Sequence, residues 1–558
     1  MMPFSLPFLG LFLSLVFLVF HYTRQYLRLS HIPGPFFARF SNLPRLYWVY
    51  HRNAHSIHIS QHRQNWRNRT GNDTSPNWAP LVRYGPNAVS VGSAAAIDTI
   101  YRMRGDPLKK SDFYSVIPPM RKGVVLPSIF STQNENLHRM LKRPIAAVYS
   151  MSNLVSFEPL VDRTIEVFRQ ELDRRFVHSG EDCDFGAWLQ YFAFDVIGEI
   201  TFSKRLGFLE EGHDVEGIIE SIWYWFEYVA VIGQIPWLDS LWVKNTVVSR
   251  LQPAKWSPMV LFANKREEER RALSADTSEK KDSQVNDRDF LSRFQAALDK
   301  DPSIPQWHVT LFPYFPISLF PHFLILCHTY RLQFTNSRAM SRALPAWTSS
   351  NIIAGSDTTA IFLRTMFHQL LTHPSSLTKL RAELDEAFVK GNLSETATWK
   401  ESIALPYLNA CFKEAGRIHP PFGLHLERVV PQGGMDVCGK SLPAGTIVGM
   451  NAWVIHRDPE VFGPDADAWR PERWLEGDET YIKKMDASLL TFGAGHRICL
   501  GKHISYLEIL KLVPTLLQAY DIELVDEAKS LTVQNRWFVP QFGFHVRLRR
   551  REPRGASL

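Results

Sequence analysis

The stretch Phe492-Gly493-Ala494-Gly495-His496-Arg497-Ile498-Cys499-Leu500-Gly501 constrains this chain of 558 residues more than any other. It is followed directly by Lys502-His503-Ile504-Ser505-Tyr506-Leu507-Glu508-Ile509-Leu510-Lys511-Leu512, which reads as the start of a helix. A cysteine just ahead of a helix N-terminus meets unpaired backbone N–H groups and the positive end of the helix dipole, and both favour the thiolate. The glycines let the backbone pass close to a flat, bulky ligand. Arg497 offers such a ligand a forked cation for an acid group. A cysteine taken alone is most often a buried free thiol. Glycines, a forked cation and a helix start around this one suit a metal-ligating thiolate instead.

The loop resembles the haem-binding signature of the cytochrome P450 family. Two upstream motifs share the resemblance. Ala354-Gly355-Ser356-Asp357-Thr358-Thr359, in an apolar helix that starts near Trp347, is similar to the family's oxygen-activation motif. Glu414-Ala415-Gly416-Arg417 sets an acid and a base at i and i+3, on one helix face. It resembles the family's ExxR pair, which locks onto an arginine matched here by Arg473 of Pro471-Glu472-Arg473-Trp474. Each motif is weak alone, but their order along the chain makes them specific together. Lys110-Ser111-Asp112-Phe113-Tyr114, Arg83-Tyr84-Gly85-Pro86-Asn87-Ala88 and Leu426-Glu427-Arg428-Val429-Val430-Pro431 are similar to filamentous-fungal members, including pisatin demethylase-like enzymes.

The resemblance implies a fold that is mainly α with small β-sheets, preceded by an N-terminal transmembrane helix, and haem b as cofactor. Cys499 would be the axial ligand of the haem iron, with Phe492, Gly493, Gly501 and Arg497 around the haem. Thiolate ligation pushes electron density onto iron and favours O–O cleavage. Asp357 would be the acid and Thr358 the alcohol of a proton relay, under a helix that bulges over the iron. Glu414, Arg417 and Arg473 would be structural, holding the cysteine loop. His138, Lys142 and Arg143 stand where many relatives carry a Trp and Arg clamp on a propionate, and either cation could serve. His425 falls where some relatives use Arg against a propionate; a solvent-exposed histidine is the alternative.

Residues 4–20 are almost purely apolar and are followed by His21, Arg24 and Arg28. The run is long enough to span a bilayer, and no positive region or small-residue cleavage site frames it as a signal peptide. Residues 1–30 are therefore expected to be a single-pass anchor in the endoplasmic reticulum membrane, with the 31–558 catalytic domain cytosolic. Ile32-Pro33-Gly34-Pro35 reads as a rigid hinge, and Leu81 to Val91 alternates as a small antiparallel sheet does. Leu377, Leu380, Leu384 and Phe388 form an amphipathic stripe. Lys265 to Arg271 reads as a solvated helix face. The aromatic segment Trp223 to Trp237 lies where the family has a mobile substrate roof, with core packing as the alternative. Residues 309–342 do not belong: Pro313, Pro316 and Pro321 forbid a regular helix, and a structureless loop of that length is improbable. A retained intron or gene-model error is the expected source, with a real insertion that helps shape the substrate entrance as the alternative.

The net charge is +7, with basic residues scattered, so a nucleic-acid footprint is not indicated. Five widely spaced cysteines without a CxxC pair support neither a disulfide framework nor a zinc site. A chain 45% hydrophobic and 13% aromatic has material for a large core and an apolar cavity. The function implied is a monooxygenase that inserts one oxygen atom from O2 into an apolar small molecule, in fungal secondary metabolism or detoxification. Electrons would come from NADPH through a separate NADPH-cytochrome P450 reductase, with cytochrome b5 as an accessory donor. The rival readings are a haem-thiolate isomerase or peroxide-dependent enzyme, and an inactive haem-binding membrane protein.

Overall fold

The computed structural model describes residues 6–70, 78–118, 120–121, 124–125, 128–245, 248, 262, 265–269, 289–300, 343–526 and 530–552. The segment 309–342 lies outside the described residues. Among many short helices, a few elements position the site. In chain order they are α1 (Leu6–Arg28), β1 (Leu81–Gly85), β2 (Ala88–Val91), α2 (Glu135–Lys142), α3 (Phe185–Phe202), α4 (Ile218–Ile232), α5 (Ala343–Thr372), α6 (Pro374–Val389), α7 (Pro406–Ile418), β3 (Arg428–Val429), β4 (Ile447–Gly449), α8 (Lys502–Ala519), β5 (Tyr520–Leu524) and β6 (His545–Arg550). The chain is mainly helical with small sheets, as expected.

The centre is a pair of helices apolar on nearly every face, α3 and α5, and helices of that kind bury themselves all round. Asp184 caps α3 by accepting from the Ala187 N–H at 3.1 Å. Phe185 packs edge-on against Phe367, and Leu189, Phe192, Val196 and Ile197 join Ile352, Leu363, Met366 and Leu370 in one core. A Cβ on Gly355 would lie 3.0 Å from the Ile197 side chain, so this glycine lets α3 and α5 approach. The helix bulge expected over the iron at Gly355 is not recorded: α5 runs as one α-helix from Ala343 to Thr372, and packing on α3 accounts for the glycine. The stripe on α6 is as expected, with Leu380 and Leu384 buried and Leu377 and Phe388 packed against them.

The first sheet has the order β1-β2-β4-β3 and is mixed: β2 runs parallel to β4, pairing Val89 with Val448, while the other pairs are antiparallel. The alternation expected for β1 and β2 is also absent in burial, since every residue of both strands is buried. The chain around Pro33 covers β1. Pro33 O accepts from the Arg83 N–H at 2.6 Å, and a Cβ on Gly34 would sit 2.0 Å from Arg83 O. The proposed hinge is thus docked on the sheet. Arg83, fully buried, donates to the carbonyls of Gln25 (2.8 Å), Tyr26 (3.0 Å), Arg39 (3.2 Å) and Pro86 (2.6 Å), tying the end of α1 to β1.

One expectation is corrected here and another finds no support. Of the Lys265 to Arg271 run, residues 270–271 lie outside the described residues, and the rest is not merely a solvated face: Glu267 is buried and accepts from Thr348 Oγ1 of α5 at 3.1 Å, and Arg266 lies over the Phe262 ring at 4.6 Å. A charged side chain with a buried partner is indistinguishable from a solvated one in sequence. Among the described residues, no helix is long and apolar enough to cross a membrane, so the expected transmembrane helix is not supported.

Candidate active site

Two accessible strips interrupt the buried centre. On α5, Ala354 is exposed and Gly355 and Thr358 are half-buried, although the helix around them is buried. On the loop before α8, Cys499 is exposed and Phe492, Gly493, Leu500 and Gly501 are half-buried. The strips are neighbours. Phe362, one turn beyond Thr358, stacks on Phe492 with centroids 6.5 Å apart, and Thr359 Oγ1 lies 3.2 Å from Ser505 Oγ of α8. Cys499 is accessible to solvent yet crowded enough by protein that its thiol is desolvated, as in a residue lining an internal cleft.

The helix start does what the sequence suggested, up to a point. The sulfur is approached by the backbone N–H groups of Gly501 and Lys502 and by the Lys502 and Lys142 cations, and all of these lower its pKa. Burial is the larger effect, and the thiol is pushed above its ordinary value. A bound metal cation would favour the thiolate against this cost. The Cys499 N–H donates to Phe492 O at 2.9 Å, closing the loop on itself. Gly495 has φ +67°, and a Cβ there would lie 1.7 Å from Tyr101 O. At this position the close approach is to the protein's own backbone.

Behind the loop, Glu414, Arg417 and Arg473 come together and are buried. Arg417 donates bidentately to Glu414 at 2.8 and 2.8 Å, and Arg473 Nε donates to Glu414 Oε1 at 3.0 Å. Burial pushes the Glu414 carboxyl up, but Arg417 and Arg473 outweigh it and hold the pKa below the usual carboxylate range. Sequence reasoning missed Trp474, whose Nε1 donates to Glu414 Oε2 at 2.9 Å, and His456. The Leu490 N–H donates to His456 Nε2 at 2.8 Å, so the ring proton sits on Nδ1, 3.0 Å from Arg417 O. Thr491 Oγ1 donates to Gly416 O at 2.8 Å. Of the two residues preceding Phe492, Thr491 is thus bonded to α7 directly and Leu490 through His456.

Cations gather at the rim. His138 is buried, with Nδ1 3.7 Å from Glu135 Oε2. Lys142 Nζ donates to His496 O at 3.0 Å, whereas Arg143 is exposed, so Lys142 is the member of that pair on the cleft side. Arg497 donates to Glu135 (2.6 Å), Ile129 O (3.0 Å) and Thr132 O (3.0 Å). Lys110 and Arg428 join them: Arg428, Arg497 and Lys142 each lower the pKa of a neighbour in the group. Both Lys110 and Arg428 sit in stretches similar to fungal relatives, and no role was read for them from sequence. His425 is not solvent-exposed. It is buried, stacked on Tyr84 at 4.2 Å, and its Nε2 lies 2.8 Å from Ser90 Oγ. Burial pushes its pKa well down, with His58 and Arg45 adding to the effect, and it is Arg428, three residues on, that stands beside Lys110 and Arg497.

A haem fits this donor set. Glu135 lies beside His138 and Arg497, and Lys110, Lys142 and Arg428 add further cations to the rim, a group that two propionates would suit. The accessible thiol between Ala354/Thr358 and the glycine loop suits the iron.

On the other face of α5, Asp357 is buried. Its Oδ1 accepts from Gln190 Nε2 at 2.5 Å and from Trp223 Nε1 at 3.2 Å. Burial pushes its pKa up to about 6, against the pull of the Trp223 hydrogen bond and the Arg364 cation. Thr358 Oγ1 donates to Ala354 O at 2.7 Å. Trp223 lies on α4, in the aromatic segment where a substrate roof was expected.

A thiol-bearing glycine loop beside a slot, under a central helix with an acid and an alcohol at adjacent positions, is an arrangement suited to a haem-thiolate protein. The profile of the family described as Cytochrome P450 matches residues 87–306 and 335–547. A cytochrome P450 monooxygenase of Aspergillus terreus is 51% identical over 89% of this chain and 91% of its own. Cytochrome P450 monooxygenase cicH of Emericella nidulans is 47% identical over 97% of this chain and 98% of its own. Cytochrome P450 monooxygenase mpaDE' of Penicillium brevicompactum is 42% identical over 98% of this chain but 58% of its own length. The chain belongs to the cytochrome P450 family, as a monooxygenase whose cofactor is haem b.

The raised pKa of Asp357 makes a pH prediction. The unfolded carboxyl ionises near 3.8 and the folded one near 6, so stability is lost as pH rises between these values and is constant above them. Asp357→Asn removes this penalty. Relative to the unmodified protein, its melting temperature should rise from about pH 4 to about pH 6, by the equivalent of about 3 kcal/mol, and then level off. A difference independent of pH would show that Asp357 is not held neutral.

Proposed function

We propose that this protein takes electrons from NADPH through a separate NADPH-cytochrome P450 reductase, with cytochrome b5 as an accessory donor, and inserts one oxygen atom from O2 into an apolar small molecule in fungal secondary metabolism or detoxification. The observation that carries this reading is the pairing of an accessible Thr358 with a buried Asp357 of near-neutral pKa, on the helix adjoining the Cys499 loop. An isomerase or peroxide-dependent enzyme has no need of such a pair. Haem bound through Cys499 supplies oxygen activation. Lys110, Lys142, Arg428 and Arg497 would hold its propionates, and Glu414, Arg417 and Arg473 would keep the loop in register. Asp357 holds or yields a proton near neutral pH, Thr358 hands protons into the cleft, and the apolar walls exclude bulk water.

We further assign the catalytic domain, 31–558, to the cytosolic face of the endoplasmic reticulum membrane, anchored by residues 1–30. On α1, Phe12, Leu13, Leu15, Val16, Val19 and Phe20 are all exposed, an apolar face that water does not favour. Phe36, Phe37, Tyr47, Tyr50, Trp237 and Trp242, also exposed, would extend that contact. The 309–342 segment is read as a retained intron, a reading supported by the break in the family match between residues 306 and 335.

Cys499→Ser should abolish the red-shifted absorbance band of the reduced, carbon-monoxide-bound protein, because a hydroxyl is a poor anionic ligand at neutral pH; a retained band would transfer ligation elsewhere. Thr358→Ala should leave haem bound but lower product formed per NADPH consumed, with peroxide released instead, by about tenfold or more. Unchanged coupling would reduce Thr358 to a packing residue. Sequencing of mature transcripts should find messages lacking the 309–342 segment. If every message retains it and its deletion abolishes activity, the segment is a working insertion.

A further inference from the structure

Asp357 is held by one oxygen only. Its Oδ1 accepts two N–H donors, Gln190 Nε2 at 2.5 Å and Trp223 Nε1 at 3.2 Å, while its Oδ2 is buried and has no hydrogen-bond partner among the described residues. A carboxyl oxygen has two lone pairs, and both of those on Oδ1 are taken.

The donors cannot turn away. Gln190 is buried on α3, and its Oε1 accepts from Arg364 Nη2 at 2.7 Å. A guanidinium only donates, so the amide must point its oxygen at Arg364 and its NH2 at Asp357. Arg364 is fixed in turn, its Nε donating to Gly186 O at 2.8 Å. Trp223 belongs to α4 and is wedged edge-on against Phe542 at 5.1 Å. An indole N–H has no acceptor alternative.

We propose that Gln190 and Trp223 are positioning residues that clamp Asp357 by Oδ1, so that every proton Asp357 takes up or gives away passes through Oδ2, and that Trp223 makes this clamp answer to the position of α4. While α4 is seated, Oδ1 is saturated and the carboxyl has one protonation site. A shift of α4 that withdraws the indole opens a second lone pair on the wrong oxygen and removes a donor that favours the carboxylate. The other charges acting on Asp357 are Arg364 on its own helix and Asp214 ahead of α4, with Asp184 and Tyr191 of the α3 region acting on Arg364. This rests on the reading of Asp357 as the relay acid.

The test uses full-length, haem-loaded protein. Infrared difference spectra between about pH 5 and about pH 8 should contain a protonated-carboxyl C=O band that disappears in Asp357→Asn. With the proton on Oδ2, Oδ1 is the carbonyl oxygen, so its two hydrogen bonds lower the band frequency. Trp223→Phe keeps ring bulk and removes one donor. It should raise the band frequency, move the midpoint of the band's titration up by about one pH unit, and carry the pH limb of product formed per NADPH with it. Gln190→Glu keeps a partner for Arg364, replaces the second donor by an acceptor, and should also move the midpoint up. A merely structural role for Trp223 would alter substrate affinity and leave band and midpoint where they were. If both variants keep the original midpoint, the clamp is refuted. If the band and midpoint shift while Asp357→Asn couples normally, the clamp stands and the relay role of Asp357 falls.

Discussion

One carboxylate holds together the region behind the cysteine loop. Glu414 accepts from Arg417 twice, from Arg473, from the Arg470 N–H and from Trp474, all without contact with water. Two cations around one buried anion would be expensive if any were left unmatched, and removing one partner of such a set costs about 3–5 kcal/mol. Here the remaining donors are met as well, Arg417 by the carbonyls of His456, Ala466 and Ala468 and Arg473 by Phe462 O and Asp465. The set joins α7 to a stretch more than forty residues downstream and, through His456 and Thr491, reaches the residues just before Phe492. The glycine loop gains its position from this scaffold, since its own residues have few side chains with which to hold it.

The central helix serves two faces with opposite requirements. Towards the cleft, Ala354 and Thr358 leave room and present one hydroxyl. Towards α3 and α4, Asp357 is sealed from water and met by neutral donors, which lets it sit near pH 6 instead of ionising fully or losing its charge altogether. Gly355 makes that sealing possible by letting α3 come within contact of the backbone of α5. Packing and acid strength are thereby set by the same helix contact.

Much of the site was legible in the chain because its chemistry is local. A cysteine followed by a helix start, an acid and base three residues apart, and an acid next to an alcohol are each set by a few neighbouring positions. What escaped was assembled across the fold. Lys110 and Arg428 lie far apart in sequence and meet at the rim; His456 shows nothing in its own neighbourhood to mark it as a link between α7 and the loop; Glu267, inside a run of charges, is buried and accepts from Thr348 of α5.

By itself the sequence placed Glu414 and Arg417 on one helix face, Asp357 beside Thr358 and Cys499 ahead of a helix start, because spacing along a helix or within a tight loop fixes which groups can meet, and its resemblance to the family added Arg473. The tertiary structure alone decided how those groups behave. Desolvation raises the Cys499 thiol despite the helix N-terminus, and the approach of α3 and α4 assigns Asp357 its donors and leaves one oxygen unpartnered. Burial and the direction of a distant side chain depend on packing between elements, and no window of sequence contains them.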